Sequence, residues 1–215
     1  MNIFITNPSP VISAYNIDDV RGNKMIVESC QMIGTRLYMC IDKLQSRYPL
    51  SWIKANKENK QQYKEETGLY VPCYIDVPCN IWIRKNNYNF AWLVAHTKAL
   101  ADLYYLRTQK QHASMKIFNS PYFPSDFICY HPYDKLSPLP NCTPFCKSID
   151  GKKQYFTESQ EKVIRDYKKF MIQKWCKTDK IKLTWERRNI TFDYPRFMSE
   201  KAIKLMKDRQ AILGY

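Results

Sequence analysis

Apolar positions recur at helical spacing along most of this chain. Ile26, Cys30, Ile33, Leu37, Ile41 and Leu44 mark one face of a long helix, with Lys24, Glu28, Gln31 and Thr35 as a polar stripe on another. Asp18-Asp19 supplies its cap, and Tyr48-Pro49 its end. A second long helix is predicted from Pro78 through Trp82, Phe90, Leu93, Leu100 and Leu103 toward Arg107. A third follows a capping box, Thr157 and Gln160, with Val163, Ile164, Tyr167, Phe170, Met171 and Trp175 as its apolar face. A last helix starts at Ser199.

Between these helices the pattern changes. Residues 2–6 read as a short strand stopped by Asn7-Pro8-Ser9-Pro10, and 180–184 with 189–192 as a C-terminal hairpin. Residues 54–66 are polar and charged, so 54–72 reads as an exposed insertion. Residues 112–156 hold six of the twelve prolines and no sustained period. They predict a long functional loop held by Tyr122, Phe123, Phe127, Tyr130, Tyr133 and Phe145. The expected fold is mainly α with a small β component (α+β): a single helical domain with a short N-terminal strand and a C-terminal hairpin, consistent with 215 residues.

Charge narrows the partners. The chain carries 34 Lys and Arg against 20 Asp and Glu, a net of +14. Residues 151–215 hold 17 basic and 8 acidic side chains, a net of +9, against +5 for the first 150. Such a surface attracts phosphate backbones, DNA foremost. Lys162, Arg165, Lys168, Lys169, Lys174, Arg187 and Arg188 are the candidate backbone contacts. The plainer alternative is a solubility device. No apolar run reaches membrane-spanning length, and the first residues lack a signal-peptide pattern, so a cytoplasmic location is expected.

The eight cysteines are expected to be mainly free thiols. Cys129, His131, Cys142 and Cys146 could bind zinc, but no CxxC knuckle is present and no metal or cofactor is expected. Five glycines and no phosphate-cradling motif argue against nucleotide-binding loops.

One constellation could carry chemistry: Asp19, Arg21, Lys24, Glu28 and Gln31. A carboxylate beside a cation and a carboxamide can take a proton or hold a base edge. The alternative is a solvated helix face with an ordinary ion pair. Trp82, Arg84, Asn87 and Trp92, with Lys110 and His112, could stack and read an unstacked base. At helical spacing, however, Trp is more often core, and His96 reads as a core histidine.

These segments also carry a resemblance. Met-Asn-Ile-Phe at the start, Asp19…Lys24-Met25…Glu28…Gln31, Pro78-Cys79…Trp82…Asn87…Trp92, Lys110-Gln111-His112 and Thr143-Pro144-Phe145 resemble a family of small phage-encoded proteins. Some of its members carry a pyrimidine-dimer DNA glycosylase label. The likeness runs through most of residues 1–175, including Tyr167-Lys168-Lys169-Phe170. Val20, Gly22 and Asn23 stand where the family has a Lys or His cluster, Val77 where a His precedes the proline, and 54–72 is longer.

The resemblance implies base excision or base modification on DNA. Glu28 would be the acid/base or electrostatic group, with Lys24 stabilising it and Asp19 and Gln31 in support. Arg21, Trp82, Arg84, Asn87, Trp92, Lys110 and His112 would contact the substrate. If an imine forms, the amine is Lys24 or the α-amine of Met1. The rivals are a non-enzymatic viral accessory protein that binds nucleic acid or a host protein, and an enzyme acting on free nucleotides.

Overall fold

Asp18 starts the first long helix by accepting the Arg21 backbone N–H at 3.0 Å. In the computed structural model, which describes residues 2–124, 135–178, 183–185 and 194–212, that helix is α2, Asp19–Cys40. It is preceded by the short α1, Pro10–Tyr15. Ile41 leaves helical geometry, so Leu44 belongs to a separate short helix, α3, Asp42–Arg47, and not to a continuation of α2. Tyr48-Pro49 then ends this region, and α4 follows at Leu50–Ala55.

The stretch expected to be an exposed insertion is instead anchored. Residues Lys57–Thr67 form α5, capped by Asn56 and ended at Gly68 in the left-handed region, φ 68°. Its charges face outward, while Tyr63 and Thr67 are fully buried. The following segment crosses α2 closely. A Cβ at Gly34 would meet the Tyr70 backbone oxygen at 3.1 Å, so glycine permits the approach. Thr35 Oγ1 then bonds the Cys73 backbone at both its N–H and its carbonyl.

The second helix is also split. The segment Pro78–Lys85 is α6 and Asn87–Thr108 is α7. Asn86 interrupts them because its side chain takes the Asn89 N–H at 2.8 Å, starting a new helix. Within residues 112–156 the described parts include a 3₁₀ helix, Ala113–Asn119, and a short hairpin, β1 Ser148–Ile149 with β2 Lys152–Lys153. Phe127, Tyr130 and Tyr133 lie outside the described residues.

The third predicted helix is α8, Gln160–Lys177. Its cap is Ser159, not Thr157; the Ser159 hydroxyl takes the Lys162 N–H at 3.3 Å. The last helix is α9, Glu200–Ile212. Most of the C-terminal hairpin, 180–184 with 189–192, lies outside the described residues; 183–185 are described and are not strand.

The N-terminal strand does not form. Ile3, Phe4, Ile5 and Thr6 are all buried, but no strand pairs with them among the described residues. Side chains satisfy this backbone instead: Asn2 Oδ1 accepts the Ile3 N–H at 2.8 Å, and Ser13 Oγ accepts the Thr6 N–H at 2.8 Å. The protein is therefore mainly α, with a two-stranded antiparallel hairpin as its small β component. A contiguous buried cluster links Ile3 to Met206. Helix α7 packs against both α1 and α2, and no described helix is long and apolar enough to cross a membrane.

Candidate functional site

Helical geometry sorts the polar residues of α2. At roughly 100° per residue, Arg21, Lys24 and Glu28 share one side. Asp19 falls about half a turn away from Glu28, and Gln31 about 60° round. The first three line a cleft of about 260 Å³, together with Asn2, Phe4, Met25, Phe170 and Lys174. The N-terminal segment and α8 thus supply the walls that face α2.

Glu28 is the carboxylate of this cleft. Its side chain is 17% exposed and lies 3.3 Å from the Lys24 ammonium, which is 75% exposed. An ion pair this open contributes about 1 kcal/mol or less, so it is a weak reason for Glu28 to be there. On its other oxygen, Glu28 accepts the Asn2 backbone N–H at 3.4 Å. The start of the chain is held against it by a hook. Asn2 Oδ1 also accepts from the Phe4 N–H, and Phe4 has φ 51°, a left-handed conformation that costs a non-glycine residue on the order of 1 kcal/mol. The Tyr167 hydroxyl, on α8, stands 2.9 Å from Asn2 Oδ1.

The cleft is cationic. Burial first, then the positive charges of Arg21 and Lys24, hold the Lys174 ammonium below its ordinary range. Arg21 is tied to Asp18 at 2.9 Å and Thr178 at 3.0 Å, which fixes its guanidinium between α2 and α8. A fixed arginine beside two lysines is suited to a phosphate. Phe4 and Phe170 put aromatic surface in the same cleft, with ring centroids 6.4 Å apart.

Other expected site residues lie elsewhere. Asp19 points the other way: it binds Arg107 at 2.7 Å and Thr184 at 2.8 Å, locking α2 to the end of α7. It is a structural partner, not a support for Glu28. Gln31 is half-buried and does not line the cleft. Trp82 and Trp92 are fully buried and meet edge-to-face at 5.9 Å, so neither offers a ring to a base. Their indole N–H groups donate to Ser137 and Pro8 carbonyls. Asn87 accepts from Arg36 at 2.7 Å, and Arg84 is half-buried on α6. Lys110 is exposed beyond α7, while His112 Nδ1 accepts the Ser114 N–H and caps the 3₁₀ helix. None of these lines the cleft.

Among the backbone candidates, Lys162 is engaged by Glu158 and Asp166, each at 2.6 Å. Lys168 lies over Phe197 and Lys169 over Phe145, and Arg165 is exposed. Arg187 and Arg188, like Met1, Cys129 and His131, lie outside the described residues. Asn2, Phe4, Met25 and Phe170 were not among the site residues expected from sequence. All four fall in segments that carry the resemblance, and the helical register of Met25 with Arg21 and Glu28 was a further signal for one of them. No family model matches the chain, and no curated protein or solved structure matches it either.

Proposed function

We propose that the protein acts on DNA, in base excision or base modification, with Glu28 as its acid/base or charge-stabilising group. The observation that supports this most is a half-enclosed carboxylate, Glu28, in a cleft that also holds Arg21, Lys24 and Lys174. The cations suit a backbone phosphate; the carboxylate suits proton transfer at an unstacked nucleotide. The resemblance to a family of phage proteins, some of which carry a DNA glycosylase label, points the same way.

In this reading Phe170 and Phe4, not the tryptophans, border the base. The amine for an imine is Lys24, whose Nζ already stands beside Glu28, or the α-amine of Met1. An imine would form at the sugar C1′ as the base departs, and Glu28 would assist the proton transfers.

A duplex carrying an abasic site exposes that C1′ aldehyde whichever base or lesion the protein removes. Incubation with cyanoborohydride is expected to trap a covalent protein–DNA adduct, which peptide mapping assigns to Lys24 or Met1. Absence of an adduct, together with no turnover of duplex, single-stranded or free nucleotides, overturns the enzymatic reading. Salt-dependent binding without either would leave the accessory-protein reading. The burial of Trp82 and Trp92 favours that rival, because it removes the expected base-stacking platform.

A further inference from the structure

We propose that Cys79 and Cys142 are a peroxide-sensitive pair that closes to a reversible disulfide, with Cys142 oxidised first and Cys79 resolving it. The two sulfurs are 3.7 Å apart although the residues are 63 positions apart in sequence. Cys79 is fully buried in the first turn of α6, and Cys142 is half-buried on the loop after Pro140. The seven described cysteines are free thiols.

The loop presents Cys142 in a fixed orientation. Its N–H donates to the Tyr167 hydroxyl at 3.3 Å, and the Asn141 N–H donates to the Tyr155 carbonyl at 2.8 Å. Asn141 Nδ2 reaches Asp166 at 2.8 Å and also bonds Glu158. With both sulfurs held, closure requires a local approach to about 2.05 Å. The two thiols are unlike. The hydrogen bond between the two thiols holds Cys142 below the usual range. That same bond, with burial, pushes Cys79 up. The more acidic thiol is also the more accessible one, the combination that reacts with oxidants.

The oxidant is hydrogen peroxide. The Cys142 thiol gives up its proton, its thiolate attacks one peroxide oxygen, the O–O bond breaks, and the departing hydroxide takes that proton to leave as water, so Cys142 becomes a sulfenic acid. The Cys79 thiol then attacks that sulfur, giving the disulfide and a second water. Two hydrogens are lost from the protein, and two electrons pass to the peroxide.

The pair is linked to the Glu28 cleft through Tyr167 and Asn2. Tyr167 receives the Cys142 N–H and stands 2.9 Å from both Asn2 Oδ1 and the Pro140 carbonyl, with one proton to share between them. A change at Cys142 therefore reaches the hook that places Asn2 at Glu28. The inference about the thiols does not rest on the proposed function.

The test uses the full reduced chain and hydrogen peroxide at a few equivalents, followed by alkylation and mass spectrometry. The expected product has lost two hydrogens, joins the peptides containing Cys79 and Cys142, and is reversed by dithiothreitol. In Cys79→Ala, dimedone is expected to label Cys142, because the sulfenic acid has no resolving thiol. Circular dichroism checks that this variant folds; if it does not, the wild-type peptide map decides alone. A Cys142–Cys146 link, or sulfinic acid at Cys142 of the wild type without a disulfide, overturns the proposal. So does an unmodified pair after other cysteines have reacted.

Discussion

The indole N–H of Trp175 donates to the Asp18 carboxylate at 2.9 Å, joining residues 157 positions apart. Asp18 is fully buried, caps α2, and also takes the Arg21 guanidinium at 2.9 Å. One carboxylate thus fastens α2 to α8, the two helices that wall the cleft.

Asp18→Ala removes the cap and leaves a buried indole N–H and a partly buried guanidinium without their acceptor. Breaking a desolvated pair from one side typically costs about 3–5 kcal/mol, and the lost cap adds to this. Trp175→Phe strands no buried cation, so a smaller loss is expected, on the order of 1–2 kcal/mol from the hydrogen bond and ring change. Urea denaturation at neutral pH measures both. Equal losses in the two variants would show that Asp18 does not join the helices as described.

His96 makes stability pH-dependent. It is fully buried, stacks on Trp92 at 5.0 Å, and neither ring nitrogen has a hydrogen-bond partner. Burial pushes its pKa down to about 3 from the ordinary 6.5. The unfolded chain therefore binds a proton between those values that the folded chain refuses. The stabilising contribution is fully present above pH 6.5 and is lost as pH falls toward 3, by up to about 1.4 kcal/mol per pH unit. His96→Phe is expected to flatten the stability profile between pH 6.5 and 4.5. Parallel profiles for the two proteins would show that His96 is not the buried neutral group.

The α2 stripe was legible because helical spacing alone sets Lys24 and Glu28 side by side. The same spacing separates Asp19 from Glu28, a distinction lost when nearby sequence positions are read as one cluster. Trp82 and Trp92 pair across the break at Asn86 in the core, a contact that composition cannot distinguish from a stacking platform. The Ile3-Phe4-Ile5 run reads like a strand because it is apolar and buried, yet Asn2 and Ser13 side chains satisfy much of that backbone. The remaining walls, Asn2 and Lys174, are 172 positions apart, and no local pattern encodes their meeting.

Not all the basic residues of α8 are expected to act alike on DNA. Lys174 faces the cationic cleft, whereas Lys162 is held by Glu158 and Asp166. Lys174→Ala is expected to weaken duplex binding and reduce the slope of log affinity against log salt by about 0.9. Lys162→Ala is expected to leave that slope unchanged and to lower the melting temperature, because two carboxylates lose their shared cation. Fluorescence anisotropy across a salt series distinguishes them. Equal slopes for Lys174→Ala and wild type would remove the cleft from the DNA footprint.

Glu28→Gln separates chemistry from architecture. The amide keeps the shape of the side chain and an oxygen for the Asn2 N–H, now 3.4 Å away. It loses the Lys24 ion pair, which is too exposed to matter much for stability. The melting temperature is therefore expected to stay close to that of the wild type. DNA affinity should also hold or rise slightly, because a negative charge has left a cleft lined by Arg21, Lys24 and Lys174. What the amide cannot do is accept a proton or balance a developing positive charge. On a substrate that the wild type turns over, the rate is expected to fall about a hundredfold or more. Unfolding of Glu28→Gln would assign the carboxylate to the fold. Full activity with an intact fold would assign the chemistry to another group.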